Sequence, residues 1–145
     1  MSHRLPPNIY VAVYLLLIQN HQILLQRRFQ TGWQDGNYSL VSGHVDGKET
    51  IKYDMIRESK EEIGIDLKEK DLQVINVMHT NTDREYLNFF ILADQYEGKI
   101  QNLELEKCDD LAWFDLDKLP ENTIEIVRRA INNYRTGEFF DSWNW

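Results

Sequence analysis

A single cysteine, Cys108, stands among the 145 residues. That excludes an internal disulfide and fits a reducing, cytoplasmic setting. Long hydrophobic runs are missing as well. The longest, Ile9–Ile18, is broken by Tyr10 and Tyr14 and stops at Gln19, short of the ~18 apolar residues a membrane span needs. The opening segment, Met1–Asn8, is polar and carries two prolines, unlike a secretory signal. Basic charge is in short supply: 16 Lys plus Arg face 24 Asp plus Glu, a net charge of −8. Long nucleic acid is bound mainly through Lys and Arg on phosphates, so it is a poor partner for this chain. A small anionic substrate remains open if a metal ion supplies the positive charge. Repeats, low-complexity tracts and Gly/Ser linkers are also lacking, and the expectation is one domain over residues 1–145.

What is present is ordinary globular material, 42% hydrophobic and 28% charged. Ile9–Ile18 reads as a buried strand, with Asn20-His21 as a turn and Gln22–Arg27 pairing back. Phe29–Asn37 is a loop, Tyr38–Val41 a short strand, and Ser42–Lys48, with two glycines and an aspartate, irregular. Thr50 opens a helix to about Ile63 that Gly64 ends. Asp71–Thr80 and Tyr86–Ala93 form a strand pair, the second apolar on both faces and therefore central. Leu111–Phe114 is another strand. Pro120–Thr123 leads into a last helix with Ile124, Val127 and Ile131 at core spacing, closed by Gly137. The order predicts an α/β fold with a sheet between helices. The aromatic-rich stretch Phe139–Trp145 has no assignment.

The helix after Thr50 carries the chemistry. At 100° per residue, Ile51, Met55, Ser59, Ile63 and Ile56 form an apolar arc. Glu62 falls inside that arc, Glu58 on its edge, and Glu61 beside them. Glu58 and Glu62 are like charges at i, i+4, which costs a helix a few tenths of a kcal/mol, and partial burial raises the cost. Arg57 is the one nearby cation in sequence that could share the cluster, and it lies to one side. A divalent cation would resolve the conflict, because carboxylate oxygens are the hard ligands Mg²⁺ prefers. A bare Glu-x-x-Glu-Glu is more often a solvated helix face; the complete spacing decides otherwise.

Gly43-x5-Glu49-x7-Arg57-Glu58-x-x-Glu61-Glu62-x-Gly64-Ile65 resembles the Nudix box in full. Seven fixed residues would match by chance in roughly one window in 10⁸. Ser59 replaces the usual aliphatic residue or alanine after Arg-Glu, and Val41-Ser42-Gly43 replaces the common Pro-Gly-Gly lead-in. Beyond the box, Asn102–Cys108 and Trp113–Asn122 resemble the closing segment of the MutT-like branch. The resemblance implies the α/β/α Nudix sandwich with a mixed central sheet and the box as loop plus helix. It implies hydrolysis of a nucleoside diphosphate linked to another group, with Mg²⁺, or Mn²⁺ in its place, as cofactor. Glu58 and Glu62 are then metal ligands, and Glu61 is a ligand or handles the water proton. Backbone at Ser42 or Gly43 completes the metal shell, Glu49 braces the loop–helix junction, and Arg57 orients the carboxylates. Glu106 matches a glutamate that joins the metals or acts as base in some members. Arg27-Arg28 lies where a phosphate-contacting arginine is often found, and Asn122 matches an asparagine that reads the purine edge.

The favoured substrate is a (deoxy)nucleoside triphosphate, an oxidised purine among them, giving monophosphate and pyrophosphate. ADP-ribose or a nucleotide sugar is the alternative, and a catalytically silent nucleotide sensor is a further one. A monomer or a homodimer would serve. Asn122 has a second reading as a helix N-cap, Arg28 as a surface arginine, and Trp33 and Phe29 as loop packing instead of a base stack. His44 occupies a box position that the motif leaves free. His79 and Cys108 lack partners at metal-binding or nucleophilic spacing.

Overall fold

A computed structural model describes residues 7–145. β1 (Tyr10–Gln19) and β2 (Gln22–Arg28) are joined by the turn at Asn20-His21. After the loop come β3 (Tyr38–Ser39), β4 (Ser42–His44) and α1 (Ile51–Ile63). A single 3₁₀ turn, Glu69–Asp71, leads to β5 (Gln73–Asn81) and β6 (Glu85–Ala93). β7 (Cys108–Asp115), α2 (Glu125–Thr136) and β8 (Phe140–Trp143) complete the order.

β1 organises the architecture because it is long enough to pair with three strands. Along one side it runs parallel to β6, Tyr10 opposite Tyr86 through Leu17 opposite Ala93. Along the other it pairs antiparallel with β4 through Ala12–Tyr14, then leaves β4 and meets β2 at Ile18 and Gln19. β4-β1-β6-β5-β8 is thus one mixed layer, and β3, β2 and β7 continue from the far end of β1. Helix α1 packs on β1, β4 and β6, and α2 on β5. Two buried clusters fill the spaces between. Met55 and Ile63 of α1 meet Val13, Leu15, Leu17 and Ile91 on one face. Val127, Ala130 and Ile131 of α2 meet Leu16, Met78 and Phe90 on the other. This is the expected α/β/α sandwich, and β6 is central as its two apolar faces require. Among the described residues no helix is long and apolar enough to cross a membrane.

Three elements differ from the sequence reading. Ser42–His44 is a strand paired with β1, not irregular chain; its glycine hid a strand whose hydrogen bonds come from the neighbour. Cys108–Asp115 is longer than expected because β2 pairs with nearly all of it. The unassigned aromatic stretch is β8, parallel to β5, with Val77 opposite Phe140 and Thr80 opposite Trp143. Side chains hold it there. Buried Asn76 donates to the carbonyls of Glu138 and Phe139 at 3.0 and 3.1 Å. Asp141 accepts from Arg129 and Asn133 of α2. Past the strand, Asn144 donates to the Asn81 carbonyl and the Trp145 indole to the His79 carbonyl.

Candidate active site

Helix α1 forms where its signals place it. Thr50 Oγ1 accepts from the Tyr53 amide at 3.1 Å, and Gly64 takes the left-handed conformation at φ 75° while its amide bonds the Lys60 carbonyl. Ser59, buried in the apolar arc, is small enough to let the helix close on the sheet. That approach carries Glu58 and Glu62 inward.

Glu62 is the most enclosed of the three acids. Its Oε1 accepts from Gln26 Nε2 on β2 at 3.4 Å, and its Oε2 is buried with no hydrogen-bond partner among the described residues. Burial, and then the charge of Glu58, hold its carboxyl well above the usual carboxylate range. Burial also raises Glu58, against the pull of the Arg57 charge. Gly43 makes the space for Glu58: a Cβ there would lie 2.3 Å from the Glu58 carboxyl carbon. A buried, unpartnered acid oxygen beside a second acid, in a cradle only glycine leaves open, fits a divalent cation.

Glu61 separates from this pair. Its side chain is 56% exposed and turns to Arg57 at 3.3 Å. The expected convergence of three carboxylates is therefore a convergence of two, with the third on the outer side of Arg57. The reason is helical geometry, since Glu61 lies about 100° round the helix from Glu62, outside the arc that faces the sheet. Arg57 gathers the acids around itself. It forks onto Glu49 at 3.2 and 3.3 Å, reaches Glu58 at 3.3 Å and pairs with Asp54. Those partners push the guanidinium further toward its charged form. Asp54, fully buried one turn before Arg57, did not stand out in the sequence; burial raises its carboxyl and the Arg57 charge opposes this. Its i, i+3 spacing to Arg57 was the available signal.

A cleft of about 650 Å³ opens on the α2 face of the sheet. Ser42, Gly43 and Arg28 line one end and Trp143 and Asn144 the other; Glu58 and Glu62 are outside the lining, Glu58 reaching it through its contact with Gly43. Arg28 is half-buried, bonds the Trp33 carbonyl at 2.7 Å and Thr31 at 3.0 Å, and packs its guanidinium 4.9 Å from the Trp33 ring. Desolvation lowers its pKa, and the charge of Glu62 is among those that restore it. Arg27, one residue back along β2, faces the opposite way and pairs with Asp109 at 2.7 Å; strand alternation gives only one of the two arginines to the cleft.

Asn122 is elsewhere too. It is exposed, absent from the cleft lining, and donates to the Gly36 carbonyl at 2.7 Å. Neither does it cap α2, whose first turn follows Ile124 without a side-chain cap. Glu106 is exposed in the turn before β7. The acid of that segment whose charge bears on Glu62 is Glu104, two residues earlier. Asn102 turns the chain there, accepting from the Glu104 amide at 2.9 Å, while the Leu103 amide bonds the Glu62 carbonyl at 3.0 Å. A separate group of possible ligands, His21, Asp115 and Asp117, lies exposed by the β1–β2 turn, with Arg135 already on Asp117 at 2.7 Å.

The NUDIX domain profile matches residues 8–134, and the chain belongs to the Nudix family. The NAD-capped RNA hydrolase NudC of Vibrio atlanticus is 27% identical, over 86% of this chain and 49% of its own length. The chain thus spans about half the length of such relatives. The structure of a MutT Nudix hydrolase from Burkholderia pseudomallei superposes with a TM-score of 0.80 at 25% identity, over 86% of this chain and 97% of its own. A bifunctional NMN adenylyltransferase/ADP ribose pyrophosphatase from Francisella tularensis shares the fold alone. Its TM-score is 0.70 at 20% identity, over 90% of this chain and 42% of its own.

Proposed function

We propose that the protein hydrolyses, with Mg²⁺, the anhydride bond of a nucleoside diphosphate linked to a further group, a nucleoside triphosphate first among them. The observation that carries this is the buried, unpartnered Glu62 oxygen beside Glu58 and Gly43. Glu58, Glu62 and backbone at Ser42–Gly43 would hold the cation, with Glu61 at its outer side. Bound there, Mg²⁺ supplies a more acidic water and neutralises phosphate charge. Arg57 keeps Glu58 and Glu61 in position by its fork onto Glu49 and its contact with buried Asp54. Arg28 meets phosphate oxygens at the mouth of the cleft, its partners Trp33 and Thr31 fixing the guanidinium. Glu61 is exposed enough to receive the proton of the attacking water. The water oxygen bonds phosphorus, the anhydride P–O bond breaks, and the leaving phosphate takes the electron pair.

The oxidised-purine reading loses support, because Asn122 stands outside the cleft. A dinucleotide substrate is the second reading, favoured by the similarity to hydrolases of NAD-capped RNA. A panel of nucleoside triphosphates, ADP-ribose and NAD with Mg²⁺ tests both. Pyrophosphate release supports the first reading, and two monophosphates the second. No release from any of them, or E62Q and E58Q turning over like the parent, overturns the proposal.

A further inference from the structure

The far end of the cleft has a composition that the hydrolytic chemistry does not use. Ala12 and Tyr14 of β1, Asn88 of β6 and Thr80 of β5 line it, and Trp143 and Asn144 stand beyond them. Along the sheet, β6 is two strand steps from β4, β5 three and β8 four. At roughly 4.8 Å per step, Asn88 lies about 10 Å from the Gly43 strand, Thr80 about 14 Å and Trp143 about 19 Å. With phosphates between Gly43 and Arg28, the rest of a nucleotide is directed along this row.

Asn88 is buried and donates both amide hydrogens inside the protein, to the Met78 carbonyl and to Thr80 Oγ1, each at 3.0 Å. Its Oδ1 is left to accept. Thr80 is fully buried, and its hydroxyl accepts from Asn88 and so fixes which way the Asn88 amide faces. An acceptor on the floor of an otherwise aromatic-closed row matches the edge of a heteroaromatic ring that carries an N–H or an amino group. Trp143 packs on the apolar cluster and closes the row. Its position depends on the Asn76, Arg129 and Asn133 contacts that hold β8 and the residue before it.

We infer that the heteroaromatic base of the substrate lies over β6 and β5, its edge on Asn88 Oδ1, which Thr80 holds in position, and its ring against Trp143, with Asn122 taking no part. This rests on the nucleotide-hydrolase reading and adds which residues grip the base. Trp143 arrives on a strand that lies beyond the matched domain, 8–134.

The test compares a nucleoside triphosphate with ribose 5-triphosphate, the same molecule without its base. W143A should raise KM for the nucleotide about tenfold, the loss of one base–aromatic stack, with kcat nearly unchanged. It should leave the base-free compound unaffected. T80V should act in the same direction, W143F should recover most of the loss, and N122A should match the parent. Titration of the nucleotide into the protein, followed by the Trp143 indole N–H resonance (assigned by its loss in W143F), reads binding apart from turnover. A shifted resonance without hydrolysis would keep the subsite and remove the hydrolase reading. Hydrolysis with an unmoved resonance and unchanged KM in W143A and T80V would remove the subsite and keep the hydrolase. Equal losses on both compounds would assign Trp143 to packing alone and also overturn the inference. Should W143A fail to fold, T80V and the titration decide.

Discussion

Gly43 and Glu62 define the site from opposite sides, one by lacking a side chain and the other by burying one. An added methyl at position 43 meets the end of the Glu58 side chain, which is flexible, rather than backbone. G43A is therefore expected to fold with little loss of melting temperature while displacing Glu58. Activity should fall roughly 10–100-fold, the scale seen when a ligand's support is removed. A thermal melt and a pyrophosphate-release assay on the same sample check this. E62Q reverses the pattern. It removes a buried carboxyl whose ionisation the fold opposes, so at neutral pH the metal-free variant should be more stable than the parent by about 1–2 kcal/mol. Its turnover should drop roughly 10²–10³-fold. Equal stability of the two metal-free proteins at neutral pH would contradict the buried-charge account.

The residue scale also separates what the sequence disclosed from what it hid. Glu58 and Glu62 were legible as an inward pair because motif spacing and helical angle agree on one face, whereas Glu61 turns out to Arg57. Glu104 and Glu106 were not distinguishable, since a two-residue difference is decided by the Asn102 turn. Arg27 and Arg28 were read together because a strand end alone does not say which residue faces the cleft; pairing with Asp109 settles it. Asn122 was misplaced because its partner, the Gly36 carbonyl, is 86 residues away.

Among the elements, α1 and the central strands follow from local pattern: cap, period and apolar faces. β8 does not. Phe140-Asp-Ser-Trp143 is too short and mixed to register as a strand, and it exists through contacts made some 60 residues apart in the chain. The Asp141 cluster is the most accessible test of that attachment. The Arg129 and Asn133 donors hold its carboxyl below the usual carboxylate value. The ionised form is thus favoured by folding. Its contribution is present above the unfolded pKa near ~3.9 and is lost as pH falls through the folded value. D141N should lower stability by about 1–2 kcal/mol at pH 7, a few degrees in Tm. The variant and the parent should converge toward pH 3. A constant gap from pH 7 to pH 3 would show that Asp141 acts through packing instead.

For the molecule as a whole, the shifts of Glu58 and Glu62 run the other way. Both are raised, so the folded state binds more protons than the unfolded one between the ordinary Glu value near ~4.3 and the raised folded values. Stability of the metal-free protein should fall as pH rises through that window. Mg²⁺ should oppose the fall. At a concentration one hundred times its Kd it adds about 2.7 kcal/mol, so the Tm gain should be larger at pH 8 than at pH 5.5 and vanish in E62Q. Melting curves at the two pH values, with and without Mg²⁺, measure this. A gain that is equal at both pH values, or that survives in E62Q, would place the cation elsewhere. The net charge of −8 adds to the same trend, since a bound divalent cation reduces self-repulsion.

The matched domain ends at Tyr134, short of β8. Without the four residues that follow Phe139, β5 from Val77 to Thr80 would offer bare amides and carbonyls to any other extended chain. A protein cut after Thr136 should then self-associate, whatever its catalytic state. A four-residue strand that carries an aspartate is a less adhesive border than the apolar middle of β5 that it covers.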